Sequence, residues 1–154
     1  MRRSHQLFIG LVANVGMFMA ALSSCSFLET DESGTIGGFW HMERVDTLTT
    51  GKSGYGISAE MRYWSIQGRI LETSIRNGYL QDPIIFRYEH KGDSLILTDP
   101  RVSDRTKEDP AITEVDPLRP YGINKLREGF YIVAVDKGKM MLRNDYLKLY
   151  FVKQ

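Results

Sequence analysis

The chain has 154 residues, with 20 Lys+Arg against 19 Asp+Glu and a single cysteine, for a formal net charge of +1. That length holds one domain, with or without a processed segment. The charge balance gives no electrostatic footprint for nucleic acid, and one cysteine excludes both an intramolecular disulfide and a Cys-rich zinc site. Hydrophobic residues at 42% and charged ones at 25% are ordinary globular values, so the chain has enough apolar material for a core.

The amino terminus is organised differently from the rest. Arg2 and Arg3 are followed by residues 7–22, which carry no charge, then by Leu22-Ser23-Ser24-Cys25. A basic start, an apolar middle and small residues at a cut site make a secretory signal. The apolar run is short against the roughly 20 residues of a membrane span, and Asn14 interrupts it. Leu-Ser-Ser-Cys resembles the lipobox of bacterial lipoproteins. That resemblance implies a diacylglyceryl group on the Cys25 thiol, cleavage between Ser24 and Cys25, and acylation of the new amine. Two or more acyl chains anchor firmly where one is marginal, at about 0.8 kcal/mol per buried CH₂. The alternatives are ordinary secretory cleavage or an uncut anchor helix. On the lipoprotein reading, residues 1–24 are removed, Cys25 and residues 26–35 form a polar acidic tether, and residues 36–154 fold. The mature chain loses Arg2 and Arg3, carries a net charge of −1 and has no free thiol.

From Gly37 onward the hydrophobic pattern has period two. Strands are expected over residues 39–45, 60–66 and 69–74. Ile84, Phe86 and Tyr88 share one face of the next, and Lys91-Gly92-Asp93 turns it into residues 94–98. The apolar run 130–135 turns at Asp136-Lys137-Gly138 into residues 139–143. Leu147, Leu149 and Phe151 line one face of the last strand. About eight short strands with short turns predict an all-β fold, either an antiparallel up-and-down barrel or a β-sandwich. Residues 99–121, with Pro100, Pro110, Pro117 and Pro120, are too long for a hairpin turn. They read as a lid-like loop or a loop holding one short helical turn.

Gly38-Phe39-Trp40 resembles the G-x-W that opens the first strand of lipocalin-like domains, and small bacterial lipocalin-like lipoproteins in particular. Asn144-Asp145-Tyr146 is similar to the family's T-D-Y, and the ending Leu149-Tyr150-Phe151-Val152-Lys153 is similar to that of the bacterial set. The resemblance implies an eight-stranded barrel over residues 36–154. It also implies a structural pair in which Trp40 packs across the closed end under an Arg from a late strand, for which Arg143 is available.

Other motifs weaken on inspection. Gly51-Lys52-Ser53 ends like a phosphate-binding loop, but Asp46 stands where the first glycine belongs and Gly54-Tyr55-Gly56 prevents a helix start. Gly54-x-Gly56-x-x-Ala59 lacks the crossover helix a dinucleotide site needs. His41 and His90 show no metal-ligand spacing, and His41 alternates away from Trp40 toward solvent. Carboxylates fall in turns, tether and loop, and no G-x-S-x-G is present, so neither catalytic residues nor a metal or cofactor site is assigned.

Two functions remain. The first is a non-catalytic, lipid-anchored binding module for a small apolar ligand, with inner residues drawn from Trp40, Tyr63 or Trp64, Phe86, Tyr88 and Phe151. The second is an accessory, structural or inhibitor-type lipoprotein with a filled barrel, meeting an envelope protein through its surface. Either is expected at the bacterial envelope, held to the membrane through the lipid on Cys25. The outer membrane is favoured because Ser26, not Asp, follows Cys25, with periplasmic and surface display both open.

Overall fold

The computed structural model describes residues 34–50, 53–54, 61–76 and 82–154. The expected signal, Ser24, Cys25 and nearly all of the tether lie outside the described residues, as does most of the glycine-rich stretch 51–60. A 3-10 turn at Gly34–Ile36 leads into β1 (Gly38–Thr47), followed by β2 (Ser53–Gly54), β3 (Arg62–Gln67), β4 (Ile70–Ile75), β5 (Ile84–Lys91), β6 (Ser94–Val102), β7 (Glu128–Asp136), β8 (Lys139–Arg143) and β9 (Leu147–Lys153).

Each strand pairs antiparallel with its successor from β3 to β9, and β1 pairs with both β3 and β9. The sheet therefore closes into an eight-stranded up-and-down barrel, which leaves no open edge. The two-residue β2 continues the row of β3 along the upper half of β1, through Val45↔Gly54 and Asp46↔Ser53. The β-sandwich alternative is set aside by the β1–β9 closure.

Alternation decides which residues enter the core. Trp40 and Met42, Trp64 and Ile66, Leu71 and Thr73, Leu95 and Leu97, Phe130 and Ile132, Met140 and Leu142, and Leu149 and Phe151 all point inward and are buried. Three bulges adjust that phase, in the β1–β9, β5–β6 and β7–β8 ladders. A bulge adds a residue to one strand and increases its local twist. In β6 it lies at Asp99, whose φ is +51°. Past it the chain re-enters the ladder, with Pro100 buried and Arg101 opposite Ile85. Residues 99–102 thus belong to a strand, not to the start of the loop, because the bulge absorbs what the proline would have broken. Closure of the ring and one continuous core gather Asp31–Gln154 into one compact unit.

The register also defines two ends. At the lower end lie the entry to β1, the turns at 68–69, 92–93 and 137–138, and the end of β9. At the upper end lie the end of β1, the end of β4, the start of β5, residues 103–127 and the turn at 144–146.

Candidate functional site

Most of the residues expected to line a ligand site do face inward. Trp40, Trp64, Phe86 and Phe151 are each 2% exposed or less. The Trp64 indole meets Phe130 edge-on at 5.7 Å and Phe151 at 5.0 Å between centroids, so aromatic rings from β3, β7 and β9 meet inside the barrel. The phase of β3 is now settled: Trp64 is inside and Tyr63 is outside. Tyr63 stacks on Phe39 at 4.8 Å, with His41 at 5.1 Å and the Arg76 guanidinium 5.5 Å from its ring. Tyr63 is therefore not an inner residue; alternation puts it opposite Trp64. His41 points away from the core as expected, but is half-buried in this cluster. Tyr88 faces inward low in the barrel, its hydroxyl donating to the Gly68 carbonyl at 2.5 Å.

The lower end is closed by the G-x-W strand. The Trp40 indole N–H donates to the Ile36 carbonyl at 2.8 Å, pinning the entry turn under the ring. The cation above Trp40 is Lys153, 5.3 Å from the ring, which also donates to the Gly37 carbonyl at 2.8 Å. Arg143 does not fill this role. It is exposed at the upper end of β8, opposite Lys148, whereas Gly138 at the lower end of that hairpin bonds Lys153. The glycine has a steric reason: Gly38 has φ +135°, and a Cβ there would collide with the Lys153 side chain. Antiparallel pairing of β1 with β9 brings Trp40 opposite Lys153, a pairing that the order of residues alone does not reveal.

The upper end is filled by a loop. Residues 103–127 hold 3-10 turns at Arg105–Lys107 and Asp116–Tyr121, where the sequence suggested a lid or one short helical turn. Asp104 caps the first, accepting from the Thr106 N–H at 3.1 Å. The Thr106 hydroxyl, which donates to the same carboxylate, and then the Lys107 ammonium hold that carboxyl below the usual range, with a smaller part from the Thr106 N–H. The second turns inward: Leu118 and Ile123 are 0% exposed and Tyr121 is 2% exposed, all part of the central core. Arg62, inward-facing at the top of β3, donates to the Pro120 carbonyl at 2.7 Å. The Tyr121 hydroxyl bonds Thr73, and burial raises its pKa above the usual 10.0 despite the nearby Arg62 charge. Glu128, buried at the start of β7, accepts the Asn124 N–H at 2.8 Å. Arg62, Thr73, Leu118, Tyr121, Ile123 and Glu128 were all missed in the sequence. Leu118, Tyr121 and Ile123 were the available signal, as bulky apolar residues in a proline-rich, charged segment, but Ile112 and Val115 offered the same signal.

Other sequence candidates take structural places. Asn144 caps the β8–β9 turn, its Oδ1 accepting from the N–H groups of Tyr146 at 2.9 Å and Leu147 at 2.8 Å. That is an Asx turn, and it explains the T-D-Y-like triplet without a ligand. Ser53 lies in the β2 ladder rather than in a phosphate loop. His90 contacts the Gly92 carbonyl at 3.0 Å in its turn. No cluster of three potential metal ligands occurs among the described residues, and no helix among them is long and apolar enough to cross a membrane.

A groove of about 620 Å³ lies on the outside of the barrel, between β1, β9, β8 and β7. Ala134, Met141 and Val152 form its apolar part, and Arg44, Tyr150 and Lys139 rise around them. The Arg44 guanidinium lies over the Tyr150 ring, 3.7 Å from its centroid, and pairs with Asp46 at 3.2 Å.

Comparison with known proteins agrees with this architecture. A search of curated proteins finds no match. Among solved structures, the chain is similar to a lipocalin-like protein from Bacteroides uniformis, at 14% identity and a TM-score of 0.58, covering 79% of this chain and all of that one. It is also similar to an uncharacterized protein from Bacteroides eggerthii, at 12% identity and a TM-score of 0.54, covering 77% of this chain and 98% of that one. At such identities the likeness is one of fold. The family model for the lipocalin-like domain matches residues 20–154, nearly the whole chain, and the protein belongs to that family.

Proposed function

We propose that this protein is a lipid-anchored, non-catalytic accessory of the bacterial envelope that works from the outside of a filled barrel. The observation that carries the reading is the inward turn of residues 116–123. Leu118, Tyr121 and Ile123 occupy the upper end, above an inner wall already covered by Trp64, Phe86, Phe130 and Phe151. An eight-stranded barrel has an interior just wide enough for its own side chains. The lipobox-like Leu22-Ser23-Ser24-Cys25 supports anchoring through Cys25, at the outer membrane because Ser26 follows. The test is native mass spectrometry of the chain Asp31–Gln154, together with intact mass of the processed full-length protein. The expected results are a clean unliganded mass, and a mature protein starting at Cys25 with an added diacylglyceryl group. A reproducible adduct released on denaturation would sink the filled-barrel reading. An unmodified Cys25 would sink the anchor.

One observation favours a second reading, a small apolar ligand inside the barrel. The Trp64 indole N–H is fully buried and makes no hydrogen bond. A buried unpaired donor costs about 1–3 kcal/mol, which a ligand acceptor or a bound water would recover. The same mass measurement separates the two readings.

A further inference from the structure

The outer face of β7, β8, β9 and β1 is arranged in three cross-strand rows. The middle row runs Ala134, Met141, Tyr150, Arg44, and the row below it Asp136, Lys139, Val152, His41. The row above runs Tyr131, Arg143, Lys148, Asp46. The outside of a barrel is ordinarily convex, yet this panel holds the 620 Å³ groove. A bulge marks each side of it, between Met42 and Arg44 in β1 and between Ile132 and Ala134 in β7. Bulges bend strands and re-aim side chains, so the groove is part of the backbone design.

One pair of charges on the panel is placed against stability. Arg143 and Lys148 stand directly opposite each other, and like charges so placed destabilise a strand pair. Lys148 also approaches the Tyr150 ring at 5.6 Å, the same ring that carries Arg44 at 3.7 Å. Two cations, Arg44 and Lys148, therefore share one aromatic ring, and Arg143 stands across from the second of them. Asp46, cross-strand from Lys148, is already engaged by Arg44 at 3.2 Å. Glu43 and Asp136 line the groove together with Arg44 and Lys139, Asp136 standing opposite Lys139, while Arg143 and Lys148 lie in the row above it. β8 is paired along its length with β7 and β9, and β9 with β8 and β1, so an extended peptide has no edge to add to at the centre of the panel. The volume suits a small molecule. The apolar part suits a flat apolar body, and the cations above it suit one anionic group.

We propose that this panel binds a small amphipathic anion, its apolar body on Ala134, Met141 and Val152 and its anionic group toward Arg143, Lys148 and Arg44. The proposal rests on the reading that the barrel works from its outside, and names the chemistry it takes. The probe is anilinonaphthalene sulfonate, titrated into the chain Asp31–Gln154 and followed by fluorescence and backbone amide shifts. The expected result is saturable binding that weakens with salt, with shifts at Ala134, Met141, Tyr150 and Val152. Arg143→Gln with Lys148→Gln weakens it roughly tenfold. Shifts centred instead on Trp64, Phe130 and Leu142 overturn the proposal and the filled-barrel reading together. No saturable binding, or binding indifferent to salt and to the double substitution, overturns the proposal alone. The wild-type shift map and salt dependence decide the matter even if the double variant does not fold.

Discussion

The two ends of this barrel are closed by different means. At the lower end the closing groups belong to the strands or to turns next to them: Trp40 bonds Ile36, Lys153 covers Trp40, and Tyr88 bonds Gly68. At the upper end closure comes from residues 116–123, held by Leu118, Tyr121 and Ile123 and by the Arg62–Pro120 bond. The lower end is part of the sheet and opens only if the sheet opens. The upper end is an insert, able in principle to loosen while every ladder stays paired. Any traffic between solvent and interior would therefore use the upper end.

The largest effect expected is at the lower end. Trp40→Ala removes a fully buried indole and should cost about 3–5 kcal/mol in urea unfolding, with one cooperative transition. A loss below about 1 kcal/mol would show that the G-x-W strand does not organise this end. Leu118→Ala should cost less, about 2–3 kcal/mol, because the loop can partly collapse onto the gap. Its signature is local: amide exchange should accelerate at Gly122 and Ile123, which bond Arg119 and Leu118, while the β1–β9 ladder keeps its protection. Uniform acceleration across all strands would erase the distinction between the ends.

pH sharpens the same contrast. Burial favours the neutral Tyr121 phenol, so its folded pKa lies above the unfolded 10.0. The associated stability is fully present below pH 10 and is lost as pH rises through the folded value. Alkaline titration should therefore loosen the upper end, and Tyr121→Phe should flatten the stability profile above pH 10. An unchanged profile would place the phenol in contact with water. The smallest effect is expected from Lys153→Met, which removes a cation–π contact and one bond to Gly37. About 1 kcal/mol is expected. A gain in stability from that change would mean that the methylenes, and not the ammonium, hold Trp40.

Much of the fold was legible because period-two alternation is a local property. The strands from residue 84 onward, their turns and the inward set Trp40, Phe86, Tyr88 and Phe151 followed from it directly. Three readings were not decidable locally. The Tyr63-Trp64 pair offers an aromatic to either face, and only pairing with β1 and β4 chooses Trp64. Arg143 and Lys153 are both late-strand cations, and only the direction of β8 and β9 puts Lys153 at the Trp40 end. Asp99-Pro100 looks like a strand end, and only a bulge opposite β5 carries the strand through it.

The sequence by itself determined that the chain makes a short-stranded, all-β domain beginning near a G-x-W, because alternation and turn chemistry act between neighbouring residues. Tertiary structure alone decided that the sheet closes on itself, that residues 116–123 fill its upper end and that a groove forms on its outside. Each of these depends on which distant strands become neighbours. Arg62 on Pro120, Lys153 over Trp40 and Arg44 on Tyr150 join residues far apart in the chain, the last two across the β1–β9 closure, and closure is a property of all eight strands at once.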